Sequence, residues 1–254
     1  MKKPEVTLRN HEAVYEYYAQ YEQPKVGAYI GHKAMSLMFR PNVEYAEGAQ
    51  QTARDILNND GRLVVALNHL SDNDQYVVSS MALREETFRP MVGNTFIQSK
   101  EILFHHPSKL LRPVLRRGVD VMGAIPAFRK KDVSEEDADL RRQATDRMLQ
   151  TSIQKLNNGQ HMAIFPEGTR NKEQPDVVQE LKPGLCAVLG GVASNLLVGV
   201  VPIGFTYDGD KRHPQMWVDN PIIYTGQDSD VLLADLHESL QYSVDRAIKN
   251  ANTT

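Results

Sequence analysis

Residues 62–74 read RLVVALNHLSDND, a short apolar run that passes without a spacer into a polar segment holding one histidine and two aspartates. Arg62 to Leu67 is short and rich in Val and Leu, which reads as a buried strand. Ser71 reads as the cap of a following helix that continues to about Leu83, with Asp74 at its third position. A strand that delivers polar residues at its end, followed at once by a helix, is the unit from which α/β proteins build their sites.

The pattern continues outward in both directions. Upstream, residues 11–22 and 26–39 read as two helices separated at Pro24. The second carries Val26, Tyr29, Ile30, Met35, Leu37, Met38 and Phe39 with Lys33 as its one charge, a surplus suited to packing on the main domain or to contact with lipid. Downstream, residues 88–93 and 119–122 read as strands and residues 99–104 as a helical turn. Residues 108–117, SKLLRPVLRR, form a basic apolar helix with Pro113 inside it, and its Lys109, Arg112, Arg116 and Arg117 suit anionic lipid head groups. A long helix over 135–157 closes at Asn158 and Gly159, and residues 161–165 are strand-like. Residues 182–193 read as a helix, 198–207 and 216–223 as strands, and 230–251 as a terminal helix. This alternation predicts an α/β protein, divided into an N-terminal helical element, 1–58, and an α/β domain, 59–254.

The residues after the first strand hold the elements of a base. If Asp74 folds back beside the imidazole of His69, its carboxylate fixes the ring tautomer, stabilises the imidazolium formed on proton transfer, and leaves the other nitrogen free to take a proton. A capping box accounts for the same residues without chemistry, so a second motif must decide. It lies at Phe165 to Arg170, FPEGTR, after the strand HMAIF.

Together, NHLSDND and FPEGTR resemble the phospholipid/glycerol acyltransferase superfamily, with its HxxxxD block and, about a hundred residues later, its FPEGTR block. Residues 123–129, GAIPAFR, are similar to the family's intermediate block ending in arginine. Residues 201–204, VPIG, are similar to its last block, and LKPG at 181–184 to the stretch that tends to follow FPEGTR. The resemblance spans roughly residues 60–225. It implies His69 as general base, Asp74 as its partner, and Arg129, Glu167, Gly168, Thr169 and Arg170 as an acceptor-binding surface. It also implies a mostly parallel sheet covered by helices, often joined to a membrane-facing helical element. The expected partners are a thioester donor, acyl-CoA or acyl carrier protein, and a phosphorylated glycerol or lysophospholipid acceptor, with no cofactor and no metal. The arginines suit bidentate contact with phosphate, and Glu167 is expected to orient an arginine or an acceptor hydroxyl. Asp72 and Asn73 make the histidine block unusually acidic, Leu70 stands where glutamine or arginine is common, and Lys130 and Lys131 extend the intermediate block.

Bulk properties narrow the alternatives. A net charge of -3 argues against a general nucleic-acid binder. The single cysteine, Cys186, allows no internal disulfide, and Pro4, Glu5 and Arg9 interrupt any leader-like apolar stretch, so a cytoplasmic protein, peripheral on the inner face of a membrane, is expected. The uncharged segment from Pro183 to Tyr207 is long enough to span a bilayer. Gly190, Gly191, Ser194, Asn195 and Pro202 favour instead a buried helix, a turn and a core strand. A serine hydrolase would need a GxSxG elbow, which is absent. A metal enzyme built on His69, His161 or the pair His105 and His106 lacks HExxH and enough ligands at suitable spacing. A lipid-binding protein that has lost catalysis keeps the fold but not the need for an intact His69, Asp74 and FPEGTR.

Overall fold

The computed structural model describes residues 3–100, 104, 112–130, 133–207 and 209–253. Among these, eight strands form one mixed sheet, an α/β architecture. The strands are β1 (Asn42–Tyr45), β2 (Arg62–Leu67), β3 (Thr95–Lys100), β4 (Ala124–Ala127), β5 (His161–Ile164), β6 (Val198–Thr206), β7 (Gln215–Val218) and β8 (Ile222–Tyr224). Their order is β1-β7-β6-β2-β5-β3-β4, with β8 also on β6. All pairings are parallel except those of β7 and β8 with β6. β1 therefore draws part of the N-terminal 58 residues into the same sheet.

The buried β2 run has a hidden period of two. Leu63, Val65 and Leu67 join a core on one face of the sheet, with residues of α2 (Lys25–Met38), α3 (Ala49–Asn58) and α4 (Asp74–Arg84) packed there. Val64 and Ala66 join the other core, with α1 (His11–Gln20), α6 (Ala138–Asn157), α7 (Gly184–Leu189) and α8 (Ser229–Ala251). Helices on both faces are what allow a parallel strand to be apolar throughout. Gly204 of the VPIG block follows the same alternation: a Cβ there would lie 2.2 Å from the backbone of Val244 in α8, so that helix lies directly on the strand.

Several expectations need correction. Phe88–Gly93 is not a strand, because Pro90 has no ladder donor; Arg89–Met91 forms a 3₁₀ turn, and the strand begins at Thr95. Residues 119–121 close α5 (Arg112–Val121), and the strand follows at Ala124 after Gly123, whose φ of 79° breaks the helix. Ser99 and Lys100 belong to β3 rather than to a helical turn. Residues 101–103 and 105–111, including His105, His106 and Lys109, lie outside the described residues, as does Lys131. The strand expected over 216–223 is two, β7 and β8. Between Ile203↔Val218 and Val200↔Ile222, two residues of β6, Val201 and Pro202, face three on the other chain segment, Asp219, Asn220 and Pro221, which form a bulge. The helix expected over 182–193 is shorter, Gly184–Leu189, and it precedes β6, which is buried through Phe205. Among the described residues no helix is long and apolar enough to cross a membrane.

Candidate active site

The site forms at the carboxyl ends of β2, β5 and β6, where an open parallel sheet exposes its strand-to-helix turns. Asn68 extends the pairing of β2 with β6: its amide donates to the Phe205 carbonyl, and its side-chain oxygen accepts from Phe205 N at 2.9 Å. The chain then turns, and His69 projects beside the start of α4. The cap expected at Ser71 is displaced. Asn73 precedes the helix and Asp74 is its first residue, while the Ser71 hydroxyl accepts from Asn73 N.

Asp74 is fully buried. Its Oδ2 lies 2.7 Å from His69 Nδ1 and accepts from Leu70 N and Ser71 N at 2.6 and 2.8 Å. Its Oδ1 accepts from the Tyr207 hydroxyl at 2.8 Å and from Ser71 Oγ at 3.0 Å. A carboxylate accepts only, so Nδ1 of His69 carries the hydrogen and Nε2 is left as the proton acceptor. The imidazole stacks on Phe165, with ring centroids 4.3 Å apart. Burial and the neighbouring Asp74 charge push the Tyr207 phenol well above its ordinary value, so it remains a donor.

The FPEGTR block holds the histidine turn from the other side. Glu167, only 1% exposed, accepts from His69 N through Oε1 and from Gln179 N through Oε2. Burial raises its pKa, an effect these two donors oppose. Glu167 thus holds the backbone of the His69 turn, where the expectation was that it would orient an arginine or hydrogen-bond an acceptor hydroxyl. Asn171 N donates to the His69 carbonyl at 2.7 Å. Arg170 is ion-paired with Asp72, joining the two blocks. Gly168 takes a φ of 68°, conformation that favours glycine, and Thr169 is exposed.

His69, Asp74, Glu167 and Arg170 are therefore brought together. Arg129 follows β4 at the carboxyl edge of the same parallel strands, half-buried and engaged with a neighbour. Three strand spacings separate β4 from β2, roughly 14 Å. Sequence reasoning missed Tyr207. The signal was the parallel register Leu67↔Ile203, which carries Ser71 and Tyr207, each four residues on, to the same level.

An apolar cavity of about 640 Å³ lies beside this turn, between α2, α4 and α5 and the sheet. Gln75 and Tyr76, next after Asp74, line one part of it; Ile30, Met35, Met81 and Met122 line others.

No curated protein matches the sequence. The acyltransferase family model matches residues 44–206 of the 254, from β1 to the end of β6, and so takes in every strand that shapes the histidine turn. With that match covering more than half of the chain, the protein belongs to the acyltransferase family, in the phospholipid/glycerol acyltransferase superfamily, whose members join an acyl donor to a lipid acceptor.

Proposed function

We propose that the protein transfers a fatty acyl group from acyl-CoA or acyl carrier protein to the free hydroxyl of lysophosphatidic acid, giving phosphatidic acid. The observation that carries this reading is the His69–Asp74 pair: Nδ1 is tied to a buried carboxylate with four further donors, and Nε2 remains to act as base. His69 Nε2 takes the acceptor's hydroxyl proton as its oxygen attacks the thioester carbonyl. The tetrahedral intermediate expels the thiolate, which recovers that proton from the imidazolium. No acyl-enzyme and no cofactor beyond the thioester co-substrate is required.

The acceptor's phosphate meets Arg170, which exchanges Asp72 for it, with Arg129 reaching in from β4. The donor's acyl chain occupies the apolar cavity, where each buried methylene contributes about 0.8 kcal/mol. The membrane is the natural source of the acceptor. Val26, Tyr29, Ile30, Lys33 and Leu37 share one exposed face of α2, an apolar stripe with a basic centre that suits peripheral attachment to the cytoplasmic leaflet.

The test is a panel of lysophosphatidic acid, glycerol 3-phosphate and lysophosphatidylcholine with a long-chain acyl-CoA, repeated with acyl carrier protein as donor. Preferential acylation of lysophosphatidic acid is expected. Preference for glycerol 3-phosphate or for the choline lipid would replace the acceptor, and silence with both donors would favour a lipid-binding role.

A further inference from the structure

His32 lies midway along α2 and lines the apolar cavity. It is only 8% exposed. Its Nδ1 sits 2.8 Å from the Ser79 carbonyl oxygen. A carbonyl only accepts, so Nδ1 carries the hydrogen, and in the neutral ring Nε2 then presents a lone pair. Burial lowers the imidazole pKa, which keeps the ring neutral at pH 7.

No donor among the described residues is bonded to that Nε2. Much of the cavity wall is apolar, Ile30, Met35, Val78 and Met122 among it; the hydroxyls of Ser79 and Thr95 donate to the carbonyls of Gln75 and Met91, and Gln75, Tyr76, Ser99 and Arg117, which also line the cavity, make no bond to that nitrogen. A plain methylene chain filling this space would leave a buried acceptor unsatisfied, which is unfavourable. A hydroxyl on the chain would satisfy it. Ser79 lies five residues beyond Asp74 on α4, about 7.5 Å along the helix axis. That axial offset is a minimum, roughly six methylenes of an extended chain, so the hydroxyl it suits lies at mid-chain or beyond and not beside the reacting carbonyl.

We infer that His32 is a polar recognition point in the acyl cavity, and that the preferred acyl group carries a mid-chain hydroxyl. This inference rests on the acyltransferase reading of the cavity. The full chain is offered equimolar 12-hydroxyoctadecanoyl-CoA and octadecanoyl-CoA with lysophosphatidic acid, and the products are quantified by mass spectrometry. The hydroxylated chain is expected to be favoured roughly three- to tenfold, the yield of one added hydrogen bond. The 3-hydroxy isomer gains nothing. His32→Leu brings the product ratio to about one, and His32→Gln, which keeps an amide donor for Ser79 and a carbonyl acceptor, retains part of the preference.

Equal use of both chains by the wild type would mean that water meets Nε2, and would overturn the inference; so would a preference that survives His32→Leu. A second arm does not depend on turnover: thermal unfolding of each folded variant with 12-hydroxyoctadecanoate or octadecanoate. A larger Tm rise with the hydroxy acid, in the wild type but not in His32→Leu, supports the His32 site even if no chain is transferred, in which case the proposed reaction alone fails. Equal rises in the wild type count against the site.

Discussion

Asp74 gathers three donors on one oxygen and two on the other, and the side-chain donors differ in origin: His69 and Ser71 come from its own turn, Tyr207 from the end of β6. Tyr207 is the donor from outside the turn, and its hydroxyl also accepts from Ser71 Oγ at 3.5 Å. Tyr207→Phe is expected to lower kcat about tenfold with KM little changed, since a hydrogen bond to a charged group contributes roughly 1.5–3 kcal/mol and Ser71 retains part of the hold on Oδ1. Steady-state kinetics on the folded variant check this. On the proposed reading Asp72 acts in the opposite sense: its ion pair with Arg170 competes with acceptor phosphate for the guanidinium. Asp72→Asn should lower KM for a phosphorylated acceptor by up to about fivefold, the range of an exposed ion pair, and leave an unphosphorylated acceptor unaffected. At this scale the sequence was informative where partners are close in the chain. His69 and Asp74 are five positions apart, and one turn joins them. Tyr207 was hidden because its link to Asp74 spans 133 positions and exists only once β6 lies beside β2.

Elements add constraints that no local pattern carries. His161, the first residue of β5, accepts from Leu63 N of β2 at 3.1 Å through Nδ1, extending the hold between these strands beyond their ladder. Burial first, and then the Arg62 guanidinium, lower its pKa to about 4. The unfolded chain takes up a proton near pH 6.5 that the folded chain refuses until about pH 4. This contribution to stability is complete above pH 6.5 and is lost as pH falls towards 4, by about 3 kcal/mol at most. His161→Asn keeps an acceptor for Leu63 without a titrating ring. Urea unfolding at several pH values should show a wild-type advantage that shrinks between pH 6.5 and 4; a constant difference would mean that His161 does not titrate in this way. The strands β2 and β6 were legible because burial forces runs of Val, Ile and Leu, and β5 because HMAIF is apolar after its first residue. β1 and β3 were missed because NVEY and TFIQSK are half-buried and polar, and their apolar positions are too few to mark a period. The strand readings at 88–93 and 119–122 ended just short of β3 and β4, on a 3₁₀ turn and on the last turn of α5.

At the scale of the whole molecule, one side of the sheet holds the cavity, the helix that caps it and the exposed apolar stripe of α2. The apolar character of α2 was evident in the sequence, but its division into a buried side, Ala28, His32 and Ser36 against α4, and an exposed side needed the packing. The cavity was not legible at all, since its wall draws on α2, α4, α5 and four strands. If the exposed stripe meets lipid, the double variant Val26→Glu with Leu37→Glu should lose sedimentation with anionic vesicles while remaining folded. Undiminished binding would move the attachment elsewhere, for instance to α5.

The proposed reaction turns on His69 as the base in acyl transfer. The most direct measurement is the rate of thiol release from a long-chain acyl-CoA, dependent on lysophosphatidic acid, for the wild type and His69→Ala matched for thermal unfolding. Acceptor-dependent release is expected in the wild type, with a fall of about 10²- to 10⁴-fold in the variant. Release that persists undiminished in His69→Ala would contradict it.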